Sequence, residues 1–237
     1  MRIAAFSDVH ANKHALDAVL ADVHSRQPDR VVCLGDLVGY GAFPNEVIEA
    51  VREAGIPTIA GNYDDGVGFD RDECGCAYTE PAERERGDRS LRWTQQVVTA
   101  DNKAWLRSLP HELRLQADGT RLLCVHGSPR RLNEYLYEDR PERSLLRMLE
   151  GLEADVILCG HTHLPYHRRV GALHLINVGS AGKPKGGDPR ACYALLSIGA
   201  EVHVEFVRVS YDAEAAARAI EATELPREFA DALRRAA

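Results

Sequence analysis

The stretch Ile3-Ala4-Ala5-Phe6-Ser7-Asp8-Val9-His10 passes from an unbroken apolar run straight into a carboxylate and an imidazole. A short apolar run with no alternation suits a strand covered on both faces, and the polar pair marks where the strand leaves the core. Val31-Val32-Cys33-Leu34 closes the same way on Gly35-Asp36, and Val156-Ile157-Leu158-Cys159 on Gly160-His161-Thr162-His163. Between the first two strands, Leu16, Val19, Leu20 and Val23 recur at helical spacing, with Asn12 as N-cap and Pro28 beyond the end. The chain therefore opens as β-α-β.

Further along, Val47, Ile48 and Val51 form a second helical stripe between Pro44 and Gly55, and Thr58-Ile59-Ala60 predicts a third strand. Residues 65–89 are charged and read as an irregular surface excursion, and Leu91 to Leu109 reads as two short helices stopped by Pro110. Asp118-Gly119 is a hairpin signal between Leu113-Arg114-Leu115 and the buried strand Leu122 to Val125. Strands are expected at Tyr166–Val170, Leu173–Asn177, Tyr193–Ile198 and Val202–Val209, with a helix near Ser144–Leu149 and an alanine-rich helical segment over about 212–237. These elements predict an α/β layered core within a single domain spanning 1–237.

A formal charge of −7 over 237 residues argues against general attraction to nucleic acid or anionic lipid. The opening residues lack a long apolar leader pattern and no later stretch is long enough to span a bilayer, so a cytoplasmic protein is expected. Cys33, Cys124, Cys159 and Cys192 fall in or beside strand-like runs, where small thiols pack as apolar groups. Only Cys74 and Cys76 sit together in polar surroundings, a spacing that could clip a third metal or form a redox bond; no second cysteine pair completes a structural zinc site, and free thiols are expected.

Polar clusters follow the core strands: Asp8-Val9-His10, Gly35-Asp36, Gly61-Asn62, His126-Gly127 and Gly160-His161-Thr162-His163. Strand ends on one edge of a sheet converge, and residues two apart in extended chain project to one side. Seven nitrogen and oxygen donors with no clustered thiolate suit manganese, iron or zinc better than calcium or magnesium. Seven ligands suit two ions, and a pair roughly 3.5–4 Å apart favours hydrolysis of a phosphate ester. Any one of these clusters alone is weak, since a single loop histidine is more often a surface or hydrogen-bonded residue.

Taken in order, Asp8-x-His10, Gly35-Asp36-x-x-Gly39, Gly61-Asn62-x-Asp64, His126-Gly127 and Gly160-His161-x-His163 resemble the motif set of the calcineurin-like metallophosphoesterases. The likeness spans Met1 to about Arg190 and is nearest to the small bacterial phosphodiesterase branch, where Asn177-Val178-Gly179-Ser180 is also familiar. It implies a four-layer double β-sheet sandwich flanked by α-helices. It implies further that Asp8, His10 and His163 hold one divalent metal, that Asn62, His126 and His161 hold the other, and that Asp36 bridges them. Asp36, Asn62, Tyr63, Asp64 and His126 are the catalytic candidates, with a hydroxide held between the metals as nucleophile. Manganese is the first expectation for both ions, with iron, zinc or nickel also fitting the donors.

One position departs from the family pattern: Tyr63 stands where many relatives carry a histidine that assists the leaving group. A phenol with a pKa of about 10 donates a hydrogen bond but is a poorer general acid than imidazolium. Either Tyr63 serves that role for good leaving groups, or it only packs beside the site. For substrate phosphate, the glycine-rich basic loop supplies Ser180, Lys183 and Arg190, and the segment after His126 supplies Arg130; each reads equally as a solvated turn or surface ion pair. Tyr40 and Asn45 are further candidates for the pocket border.

The leading expectation is a metal-dependent phosphoric ester hydrolase acting on a small-molecule ester, a phosphodiester before a monoester. The competing one is a catalytically weak phosphatase-like binding or scaffold module, like the superfamily's retromer-associated relative. No basic tract marks a nuclease, and a homo-oligomer is compatible with the sequence.

Overall fold

The computed structural model describes residues 1–236. Among the described residues nine strands form two sheets. The first has the order β2-β1-β8-β9, built from β1 (Arg2–Phe6), β2 (Arg30–Cys33), β8 (Ala191–Ile198) and β9 (Val202–Val209). The second has the order β3-β4-β5-β7-β6, from β3 (Glu112–Ala117), β4 (Thr120–Val125), β5 (Val156–Cys159), β6 (Tyr166–Val170) and β7 (Leu173–Asn177). β1 and β2 pair in parallel, as do β4, β5 and β7, so the carboxyl ends of five strands share one edge.

Alternation along these strands produces the layers. Ile3, Ala5, Val32 and Leu34 face inward against Leu122, Cys124, Val156, Leu158 and Ile176 of the other sheet, all almost fully buried. Their neighbours Ala4, Phe6 and Cys33 point outward beneath α1 (Lys13–Arg26), α2 (Pro44–Glu53) and the helices that follow. On the far side Leu123, Val125, Ile157 and Cys159 are covered by Leu145 and Met148 of α6 (Glu142–Leu149). The outcome is helix, sheet, sheet, helix, the predicted four layers; strands covered on both faces need the continuous apolar runs seen in sequence.

Local signals act where expected. The Asn12 side chain accepts the Ala15 amide at 3.1 Å to cap α1. Asp118 and Gly119 both adopt positive φ, 47° and 84°, which gives the two-residue turn between β3 and β4 its type I′ form.

Two local expectations change. Thr58–Ala60 does not form a ladder: Thr58 makes one parallel bridge to Cys33, and the Ala60 amide then turns to the Pro110 carbonyl. Residues 65–89 are about half helical, since α3 covers Asn62–Gly68 and α4 runs Pro81–Val97, with Phe69–Glu80 irregular between them. Proline at the start of α4 supplies a preset φ, and Gly87, Ser90, Leu91 and Thr94 give that highly charged helix a buried face. α5 (Ala100–Ser108) begins after Thr99, whose hydroxyl accepts the Asn102 amide at 3.2 Å. α7 (Ala213–Glu221) and α8 (Glu228–Arg235) pair through Ala217, Ile220, Phe229 and Leu233 and pack on Ala42 and Trp93. Among the described residues no helix is long and apolar enough to cross a membrane.

Candidate metal centre

Where β1, β2 and β5 end, the backbone turns sharply. Asp8, His10, Asp36, His161 and His163 all hold positive φ, between 49° and 65°. Non-glycine residues in this region cost about 1 kcal/mol or more each, and they persist where surrounding contacts enforce them. Glycines let the turns meet: a Cβ on Gly61 would lie 2.1 Å from Asp36 Oδ1, and one on Gly35 2.3 Å from the Gly61 nitrogen. Neither position has room for a side chain.

Three imidazoles are oriented by carbonyls. Nδ1 of His10 donates to Val38 O at 3.0 Å, Nδ1 of His126 to Leu34 O at 2.8 Å, and Nδ1 of His163 to Lys183 O at 2.7 Å. Each Nε2 thereby faces the centre. His10 Nε2 and His163 Nε2 lie 3.1 Å apart, with Asp8 Oδ1 3.3 Å from His163 Nε2 and 3.8 Å from His10 Nε2. With both Nδ1 atoms protonated these neutral rings turn lone pairs toward each other, which a shared cation satisfies and a hydrogen bond does not. Asp36 Oδ2 stands 3.7 Å from His10 Nε2 and 3.4 Å from His126 Nε2, between the two groups. Asn62 Oδ1 is 3.1 Å from His126 Nε2.

Two buried triads result, Asp8 with His10 and His163, and Asp36 with His126 and His161. Among the described residues, Asp8 Oδ1 and His161 Nε2 are buried polar atoms with no hydrogen-bond partner. An unsatisfied buried polar group costs about 1–3 kcal/mol, and a cation shared with each triad would satisfy these atoms. The residues fit divalent metals.

The electrostatics agree. Burial pushes His10 and His161 down to about 3, despite the opposing pull of Asp36 on both. His163 is lowered as well, by burial. Burial would raise Asp8, but His163 overrides it and holds that carboxyl well below the usual range; burial would likewise raise Asp36, and His126 lowers it. His126 alone moves the other way: burial opposes its charge, yet Asp36 and then Asp8 push it up to about 10. A metal taking this position displaces the imidazolium proton.

Asp64 stands apart from the two triads. Its carboxylate accepts the amides of Asp36 at 2.7 Å, Leu37 at 2.9 Å and Gly61 at 2.9 Å, so it fixes the loop that carries Asp36. Burial, then Asp36, pushes it up to about 7. Tyr63 is fully buried; its amide donates to Asp36 Oδ1 at 2.8 Å while its hydroxyl meets Tyr78 Oη at 3.1 Å.

A cavity of about 480 Å³ opens over the triads, lined by His10, Asp36, Tyr63, His161, His163 and Lys183 among others. Three of the four expected phosphate contacts are engaged elsewhere. Ser180 is buried, its hydroxyl donating to Asp8 O at 2.8 Å and accepting the Lys183 amide at 2.8 Å. Arg190 is exposed and paired with Asp188 at 2.7 Å, and Arg130 with Glu134 at 2.7 Å. Neither arginine lines the cavity. Lys183 does: its ammonium lies 4.8 Å from the Tyr40 ring centroid, and burial next to Lys185 pushes it down to about 8. Tyr40 borders the cavity, while Asn45 instead ties α2 to α5 through Asn102 at 2.9 Å.

Sequence reading missed several walls: Tyr78, Cys76, Lys185, Phe229, Arg235, and Tyr135, whose ring centroid lies 3.9 Å from that of His161. None sits in a ligand motif, and Phe229 and Arg235 come from the distant helix α8.

A double sheet bearing two buried nitrogen and oxygen donor triads at one edge is the arrangement of a metallophosphoesterase. The chain belongs to the calcineurin-like phosphoesterase superfamily: the model of that domain matches residues 1–201. It is 32% identical over 242 residues to an uncharacterized protein of Methanocaldococcus jannaschii, covering 94% of this chain and 93% of the relative. Among solved structures, a metallophosphoesterase from Sphaerobacter thermophilus is 31% identical with a TM-score of 0.81, each chain covered over 100%. A hypothetical protein from Pyrococcus horikoshii shares the fold at TM-score 0.87 and 22% identity, covering 100% of this chain and 98% of its own. The family implies divalent metal ions, and the two triads are the candidates for them.

Proposed function

We propose that this protein is a dinuclear-metal phosphoesterase that prefers phosphodiesters. The single observation that carries the reading is the pair of buried atoms without a hydrogen-bond partner, Asp8 Oδ1 and His161 Nε2, one in each triad, with Asp36 between the two groups. Asp8, His10 and His163 would hold one ion, Asn62, His126 and His161 the other, and Asp36 both. When bound, such a pair activates water at neutral pH and neutralises charge on the phosphoryl oxygens. Manganese remains the first choice on donor type.

The other residues bind and orient. Lys183 at the cavity wall faces the phosphate's remaining charge, in a chain with a net charge of −7. Tyr63 and Tyr78 share their hydroxyls, and burial holds both phenols above their ordinary range, Tyr63 well above it, so neither is a ready acid. Esters with good leaving groups are therefore the better substrates. Contribution of Phe229 and Arg235 to the cavity supports reading the chain as one metallophosphoesterase domain.

The test is an activity screen on metal-reconstituted protein with aryl phosphodiesters and monoesters. Metal-dependent turnover of the diester, faster than the monoester and abolished by Asp36→Asn and His126→Ala, is the expected result. Metal binding without turnover of either ester would favour the scaffold reading, for which the buried, acid-poor Tyr63 is the one supporting observation.

A further inference from the structure

Cys74 and Cys76 differ from the other cysteines. Cys33, Cys124, Cys159 and Cys192 are buried in strands or beside them, whereas this pair is half-buried in the irregular segment between α3 and α4. Their sulfurs lie 3.1 Å apart. Gly75 between them holds φ at +69°, and its carbonyl accepts the Asn133 side-chain amide at 3.0 Å, which fixes the turn. A disulfide is about 2.05 Å long, so closure needs an approach of about 1 Å rather than a refolded loop.

The pair also stands in a wall between two spaces. Cys76 lines the cavity above the triads, and Cys74 lines an open outer groove of about 800 Å³ with Asp65, Arg71 and Asn133. Asn62 also lines that groove, and a small reagent reaches Cys74 through it without entering the cavity over the triads. Across the wall, Asn62 Nδ2 donates to the Cys74 carbonyl at 3.1 Å and to Cys76 Sγ at 3.3 Å. Those two contacts turn Asn62 Oδ1 toward His126.

We propose that Cys74 and Cys76 are a redox-active dithiol that low-molecular-weight disulfides close to an intramolecular disulfide, and that closure loosens Asn62. The thiolate of one cysteine attacks one sulfur of the incoming disulfide, forming a mixed disulfide and expelling one thiolate. The thiolate of the other cysteine then attacks the protein sulfur of that mixed disulfide and expels the second. Two electrons pass from the cysteine pair to the reagent, and the two cysteine protons end on the two released thiols. Closure draws Cys76 Sγ toward Cys74 and away from its present seat against Asn62 Nδ2. Closure itself is independent of the metal-binding reading; its effect through Asn62 rests on that reading.

The experiment equilibrates the folded full chain with oxidised glutathione and maps its peptides by mass spectrometry. Expected is loss of two hydrogens from the peptide carrying residues 74–76, reversed by dithiothreitol and absent in Cys74→Ser. A glutathione adduct that persists on either thiol, or no reaction at this pair, would overturn closure. On the same samples, manganese titration should show one of two equivalents bound about ten-fold more weakly in the closed form, the size typical of losing an outer-shell partner. Equal affinities would overturn the coupling through Asn62. If the reduced protein binds no manganese at all, the functional reading fails, while closure is still judged by mass.

Discussion

Asp64→Asn separates positioning from chemistry. Oδ2 of Asp64 accepts the amides of Asp36 and Gly61, and Oδ1 accepts that of Leu37. An asparagine keeps one acceptor oxygen. Its best rotamer retains the two bonds at the Oδ2 position and points an NH2 group at the Leu37 amide, leaving donor against donor. One buried unsatisfied donor costs about 1–3 kcal/mol, and weakening two charge-assisted bonds adds about 1 kcal/mol more, so about 3 kcal/mol is expected. Over 237 residues the unfolding entropy near the midpoint is about 0.5 kcal/mol/K, which turns that loss into a fall of about 6 °C in Tm. The Asp36 loop moves with it, so metal affinity should drop as well. Denaturant unfolding and metal titration of the folded variant measure the two effects. A variant that unfolds at the wild-type midpoint and binds metal as tightly would refute the positioning role.

Chelation of reconstituted protein should lower Tm, since each site contributes about 2.7 kcal/mol when free metal is one hundred times its Kd; an unchanged melting curve would mean no metal is held in the fold. Lys183→Ala should raise KM for a phosphodiester several-fold with kcat nearly constant, as expected for lost charge contact, and an unaltered KM would remove Lys183 from the substrate surface. Tyr63→Phe should leave turnover of a good-leaving-group ester within about two-fold, because that hydroxyl is already committed to Tyr78; a hundred-fold loss would make the phenol the acid.

Glu134 gives an acid-range prediction. Burial opposes its charge, but Arg130, Ser128 and Arg140 hold its carboxyl down at about 2, below the ordinary value of 4.5. As pH falls the unfolded chain takes the proton first, so this stability is complete above about 4.5 and fades toward pH 2. Screening at this partly wet site leaves about 1 kcal/mol. Glu134→Gln should flatten the acid limb of the stability profile by that amount, and a superimposable limb would deny the effect.

The candidate metal ligands were legible because their chemistry is local. All but Asn62 follow a strand that must be apolar to lie between layers, so the strand ends at Asp8, Asp36, His126 and His161 announce themselves by contrast. The fold class followed from those runs and from the turn at Asp118-Gly119. Less legible was the segment 65–89, where charge hid the buried face of α4 and read as loop. Charge and glycine content alone could not separate Lys183, which lines the cavity, from Arg190, which pairs with Asp188 a few residues along the same loop.

Taken by itself, the sequence determined which side chains are candidates to hold cations and on which strand ends they stand, because apolar periodicity and donor chemistry are properties of neighbours in the chain. Tertiary structure decided which of the polar residues nearby are spent on the backbone, as Asp64 and Ser180 are, and which distant residues wall the cavity, as Phe229 and Arg235 of α8 do. Those choices depend on which groups meet across the two sheets, and a hydrogen bond or a cavity wall between residues far apart leaves no spacing in the sequence to read.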